Sequence, residues 1–172
     1  MRPYWIFGLF LFAVTLALDL VTKAWVYEQL PYFGETGMAY PYGGVGLFPD
    51  LFGIEGSIVH ATNTGAAWGV FSDFQLPLIL MRIALCLGLL IYLIFFNRRK
   101  AYIAPLLFVL AGAVGNILDA FLYGKVVDMF KFVLWGYHYP IFNVADIAIT
   151  VGIAWLLIAS FFPERHDKTS PL

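Results

Sequence analysis

The chain has 172 residues, 62% hydrophobic and only 12% charged, and its 17 Phe, 10 Tyr and 5 Trp take it far outside the composition of soluble domains. Its formal charge is −1, with Lys and Arg scattered along the sequence, so no polyanion-binding face is expected and no nucleic-acid partner.

Four segments are long enough to cross a hydrocarbon layer of roughly 30 Å, which takes about 20 residues. The first, Tyr4 to Trp25, has no small-x-small cleavage site and runs through Asp19-Leu-Val-Thr-Lys23, so it reads as a retained helix and not a cleaved leader. Asp19 and Lys23 stand four residues apart on one face, where an intrahelical ion pair is a simpler account of them than catalysis. Val26 to Asp73 follows as an extracytoplasmic platform without Lys or Arg. Gly34-Glu-Thr-Gly37 and Tyr40-Pro-Tyr-Gly-Gly-Val-Gly46 predict turns in its first half. Leu51 to Thr62 predicts short strands forming a small sheet on the membrane surface. Asn63-Thr-Gly65 is then a turn aimed at the bundle, and Trp25, Tyr27, Trp68 and Trp135 are expected at the interface.

The second span, Leu76 to Phe96, carries Arg82 and the lone cysteine, Cys86, which sits among Leu and Ala with no activating partner. The third, Tyr102 to Leu118, leads Gly112, Asn116 and Asp119 along one face at i, i+4 and i+7. The loop to Asn143 contains Asp128. The fourth, Val144 to Phe162, opens with Asn143 and Asp146 three residues apart, where Asp146 alone could be no more than a helix cap. Arg2, Arg98, Arg99, Lys100, Arg165 and Lys168 all fall on one side, which predicts cytoplasmic termini. The expected architecture is an all-α membrane protein of one domain spanning residues 1–172: four transmembrane helices and a small extracytoplasmic β-sheet platform.

Depth points to a site. At about 1.5 Å rise per residue, Asp19, Asn116, Asp119 and Asp146 all lie roughly 21 to 26 Å from the cytoplasmic ends of their helices. A carboxylate in lipid costs roughly 2.5 to 3.5 kcal/mol, so several converging on one level imply a working polar pocket. His60, His138 and His166 form no clustered ligand set, so zinc is not expected and no cofactor is called for. No serine sits in a G-x-S-x-G elbow. What remains is a carboxylate pair, of which one member holds a proton while the other stays ionised, an arrangement able to hydrolyse an amide.

The segments Asp19-Leu-Val-Thr-Lys23, Asn63-Thr-Gly-Ala-Ala-Trp68, Gly112-Ala-Val-Gly-Asn116-Ile-Leu-Asp119, Gly124-Lys-Val-Val-Asp128 and Phe142-Asn-Val-Ala-Asp146 resemble, in order and spacing, the motifs of the lipoprotein signal peptidases, or signal peptidase II family. The resemblance implies an intramembrane aspartic endopeptidase of the bacterial inner membrane. Such an enzyme removes signal peptides from diacylglyceryl-modified prolipoproteins, before the lipidated cysteine, and acts as a monomer among membrane lipids. It implies Asp128 and Asp146 as the catalytic pair, with Asp19, Lys23, Asn63, Gly65, Gly112, Asn116, Asp119 and Asn143 supporting the dyad and substrate.

Two positions depart from the family pattern. Ala120 stands where Arg usually follows the Asp119 motif, and Arg82 is the candidate substitute for the missing guanidinium. Ile147 replaces the small or hydroxyl residue common after the second catalytic Asp. Rival readings are a small ion- or proton-coupled transporter subunit, whose buried Asp and Lys would carry ions, and a structural subunit whose acids mate with a partner.

Overall fold

The computed structural model describes residues 3–35, 39–63 and 75–162. Four helices are long and apolar enough to cross a membrane. They are α1 (Pro3–Gln29), α2 (Gln75–Ile91, continued by a π-helical turn over Tyr92–Phe96), α3 (Ile103–Leu122, entered through a 3-10 turn at Lys100–Tyr102) and α4 (Val144–Phe161). Phe10, Leu85 and Phe95 are each more than 60% exposed, the pattern of a surface whose solvent is lipid. Helix α3 is the centre of the bundle: 61% of its apolar window is buried, against 11–17% for the other three. Its small residues, Ala104, Ala111, Gly112 and Gly115, let neighbouring backbones approach closely, the usual basis of helix association in lipid. The half of the bundle near the α3 N-terminus is filled by Leu93, Ile103, Leu106, Leu107 and Leu110.

A four-stranded antiparallel sheet caps the other end, in the order β1 (Val45–Leu51), β2 (Ile54–Asn63), β3 (Val126–Leu134) and β4 (Tyr137–His138). Its reach differs from expectation in three ways. Half of it comes from the loop between α3 and α4, not from the 26–73 platform. β1 starts at Val45, inside the glycine-rich stretch read as turns. Asn63 is the last residue of β2, paired with Val126, and not a turn residue. Val126–Leu134 lacks the two-residue alternation that marks a half-exposed strand, because six of its nine residues, Asp128 and Lys131 among them, are buried.

Each hairpin turns on two residues at positive φ, Phe52 (56°) with Gly53 (84°) and Trp135 (49°) with Gly136 (84°), the geometry that matches strand twist. The Trp135 indole N–H donates to the Phe52 carbonyl at 3.0 Å, joining the two turns. Helix α1 runs one turn past its expected end at Trp25, and that turn supports the sheet. Val26 packs, fully buried, with Val127 and Met129 of β3, each such burial being worth roughly 1.5 to 3 kcal/mol. His60 Nδ1 lies 3.0 Å from the Leu30 carbonyl, with its ring against Tyr27 and Tyr32. Lys131 is held over the rings of Phe33 and Tyr42, fastening these two residues to β3.

Candidate active site

Where the sheet meets the bundle, a polar cluster forms around Lys23, which is fully buried. Its ammonium has three protons and three acceptors: Asp19 Oδ2 at 2.7 Å, Asp119 Oδ2 at 2.8 Å and Asn116 Oδ1 at 2.9 Å. The Asp19–Lys23 pair expected from spacing is therefore present, but it reaches across helices as well as along one. The cation beside Asp119 is Lys23 from α1. The expectation that Arg82 substitutes there is corrected accordingly, and Arg82 lines the open pocket instead.

The backbone bonds these two carboxylates also accept explain why they are kept at such depth. Asp119 Oδ2 also accepts the backbone N–H of Val127 at 3.1 Å, and Asp19 Oδ1 accepts that of Ala145 at 2.8 Å. Val127 and Ala145 are the residues immediately before Asp128 and Asp146. Each supporting Asp thus grips the backbone one position ahead of a pocket Asp, fixing β3 and the first turn of α4 to one ammonium.

Asn143 links the two pocket carboxylates. It is the N-cap of α4, its side-chain oxygen accepting the Asp146 N–H at 2.9 Å while Asp146 Oδ2 accepts the Asn143 N–H at 3.2 Å, a reciprocal capping box. Its amide donates to Asp128 Oδ1 at 2.7 Å, with Asn116 Oδ1 and the Val127 carbonyl at 3.2 Å. Asn116 Nδ2 donates to Asp146 Oδ1 at 3.0 Å. Asp146 is consequently both cap and pocket residue, resolving the two readings its spacing left open. The N-terminal end of α4 also favours negative charge there.

Burial, then the like charge of Asp146, pushes the Asp128 carboxyl up to about 7, and the Asn143 amide only partly opposes this. A register shift in β2 between Ile58 and Ala61 falls beside Asp128, which pairs with Ala61; such bulges re-aim side chains.

Asp128 and Asp146 line one cavity of about 450 Å³ with Asn63, Arg82 and Asn116, walled on its apolar side by Ile141, Ile147 and Val151. Ile147, one of the two departures from the family pattern, is thus part of the wall. Gly112 contributes no polar group: a Cβ there would lie 2.3 Å from the Ala145 carbonyl oxygen, so glycine is what lets α3 meet the first turn of α4. Gly115 plays the same part toward Asp19. Gly65 and Trp68 lie outside the described residues, as do Arg2, Arg165 and Lys168. The sequence reading missed Thr150, which lines the cavity one turn after Asp146 and could have been found by the same four-residue spacing.

Fold and site together define a multi-pass membrane protein with a carboxylate-lined pocket at one end of its helix bundle. The chain shares its fold with a bacterial membrane enzyme solved by the in meso method, at a TM-score of 0.73 and 24% identity over 96% of this chain and 93% of that one. A second such structure gives a TM-score of 0.70 at 25% identity, covering 95% and 94%. The model of the family described as signal peptidase (SPase) II matches residues 11–162. The lipoprotein signal peptidase of Deinococcus radiodurans is 36% identical over 98% of this chain and 86% of its own length, and that of Gloeothece citriformis 35% over 97% and 94%. The chain belongs to the signal peptidase II family and is a membrane protease.

Proposed function

We propose that this protein cleaves the signal peptide from lipid-modified prolipoproteins, before the diacylglyceryl cysteine, as an aspartic endopeptidase with Asp128 and Asp146 as its catalytic pair. One observation carries the reading: two carboxylates from separate elements, β3 and α4, share one open cavity and are linked by one residue, Asn143, whose side-chain amide donates to Asp128 and whose backbone N–H donates to Asp146. Asp146, whose two oxygens accept hydrogen bonds at a helix N-terminus, is the base that takes a proton from the attacking water. Asp128, raised to about 7, holds the proton that polarises the scissile carbonyl and later passes to the leaving amine. No charge other than the pair needs to change.

Orientation follows from Arg98, Arg99 and Lys100, which lie at the bundle end opposite the pocket and mark it as cytoplasmic. The pocket then opens at the extracytoplasmic level, where a lipid-anchored substrate presents its cleavage site. Ion-coupled transport is disfavoured by the apolar packing of Leu93, Ile103, Leu106, Leu107 and Leu110 in the cytoplasmic half, which offers no polar continuation.

The test is turnover of a diacylglyceryl-modified prolipoprotein peptide by the purified chain. Asp128→Asn and Asp146→Asn should each abolish cleavage while thermal unfolding stays cooperative. Turnover within tenfold of wild type in either folded variant would remove that residue from the pair.

A further inference from the structure

A second cavity, of about 240 Å³, opens at the end of the bundle opposite the aspartates, between the start of α1, the π-helical turn after α2 and the start of α3. Leu93 and Ile103, 2% and 5% exposed, form its apolar floor. Arg98, Arg99 and Lys100 stand at its rim, and among the described residues no carboxylate lines it. The retention of basic residues on the cytoplasmic side accounts for the charges, since they need only be present in a loop. It does not account for a walled space built under them.

That space has a definite local cause. The wide turn over Tyr92–Phe96 closes when the Asn97 N–H donates to the Tyr92 carbonyl at 2.7 Å, and the Asn97 side chain then accepts the Arg99 N–H and donates to the Arg99 carbonyl, both at 3.0 Å. The backbone of the basic triplet is thereby fixed. Arg99 is committed: its guanidinium donates to the Phe162 carbonyl at 2.6 Å and to the Tyr102 hydroxyl. Lys100 sits 5.7 Å from the Tyr4 ring centroid, and Arg98 and Lys100 are exposed at the mouth. Ile94, which lines the cavity's edge, and Phe95 and Phe96 just outside it are each more than half exposed, toward the lipid.

We propose that this cavity holds the phosphodiester headgroup of an anionic phospholipid of the cytoplasmic leaflet, its acyl chains lying along Ile94, Phe95 and Phe96. Two exposed cations above an apolar floor at headgroup level match a phosphodiester continuous with hydrocarbon, and basic pockets between helix ends on this side of a membrane bind such headgroups. The site is independent of the proteolytic reading, since it lies at the far end of the bundle.

The experiment is native mass spectrometry of the purified chain with phosphatidylglycerol or phosphatidylcholine of identical acyl chains, and separately with inorganic phosphate. Wild type should retain one phosphatidylglycerol at least about fivefold more tightly than phosphatidylcholine. Arg98→Gln combined with Lys100→Gln should bring that ratio close to one. Ile94→Trp, which keeps every cation but fills the space, should do the same, and it serves alone if the double variant fails to fold. Lys125→Gln, at the other end of the molecule, should leave the ratio unchanged. Equal retention of the two lipids by wild type, or a preference that survives Ile94→Trp, would mean diffuse attraction and overturn the site. Displacement of phosphatidylglycerol by an equimolar amount of inorganic phosphate would overturn the lipid assignment.

Discussion

Gly112→Ala is the sharpest perturbation the structure offers, because it adds one methyl group at a point of backbone contact and removes no polar group. The new Cβ would sit 2.3 Å from the Ala145 carbonyl oxygen and 2.9 Å from Ile149 Cγ1, where ordinary contact begins at 3.4 Å. The Ile149 side chain can swing aside, but the carbonyl belongs to the first turn of α4 and cannot. Helix α4 must therefore retreat from α3 by about 1 Å, carrying Asp146 with it and stretching the 2.8 Å bond from the Ala145 N–H to Asp19. A misplacement of about 1 Å at a reacting group costs on the order of 100-fold in rate. Overpacking of this kind costs typically about 1 to 3 kcal/mol of stability. The assay is single-turnover cleavage of a lipidated prolipoprotein peptide alongside thermal unfolding in the same membrane mimetic. Gly88→Ala on α2 is the control, since a Cβ there meets nothing within 4 Å. The expected result is a fall of roughly 100-fold in kcat for Gly112→Ala with the protein still folded, and no loss for Gly88→Ala. A Gly112→Ala enzyme of wild-type rate would show that the α3–α4 contact does not place Asp146, and the positioning argument would fail.

Lys23→Met leaves the Asp19 and Asp119 carboxylates facing each other without their shared ammonium, and breaking a buried pair this way should cost about 3 to 5 kcal/mol, read as a lowered unfolding midpoint in detergent. Asn143→Ala removes the α4 cap, worth about 1 kcal/mol, together with the amide that donates to the Asp128 carboxyl, so kcat should fall much further than stability does. Cleavage should decline as pH rises through about 7, up to tenfold per unit, because Asp128 then loses the proton it supplies; a rate still climbing at pH 9 would contradict its role as acid. The same group makes a stability prediction. Its carboxyl is raised in the folded state, so folding favours the protonated form, and stability is highest below the unfolded value near 4 and lost as pH climbs to about 7. At about 1.4 kcal/mol per pH unit the loss is on the order of 4 kcal/mol, and Asp128→Asn should flatten it in pH-dependent unfolding.

Hydrophobic length alone marks four spans, because a lipid-crossing helix must satisfy its backbone internally over about 20 residues and nothing nonlocal enters that requirement. Helical spacing likewise places Asp19 with Lys23 and Gly112 with Asn116 and Asp119 on common faces, since 3.6 residues per turn is a local property. The order of five short motifs was enough to point to the signal peptidase II family, to which the chain belongs. Which charge meets which was not local. Arg82 and Lys23 lie at comparable depths, and only the packing of α1 on α3 brings Lys23 to Asp119. The strand carrying Asp128 was equally hidden: β3 pairs with a β2 strand more than 60 residues away, and burial on both faces erases its alternation. Tertiary structure also decided what the deep carboxylates hold, namely the Val127 and Ala145 amides that precede the pocket pair. A residue's inward face follows from its own helix, but its partner depends on where other chain segments stop, and that is set by the close approach of backbones across glycine and the sheet's register.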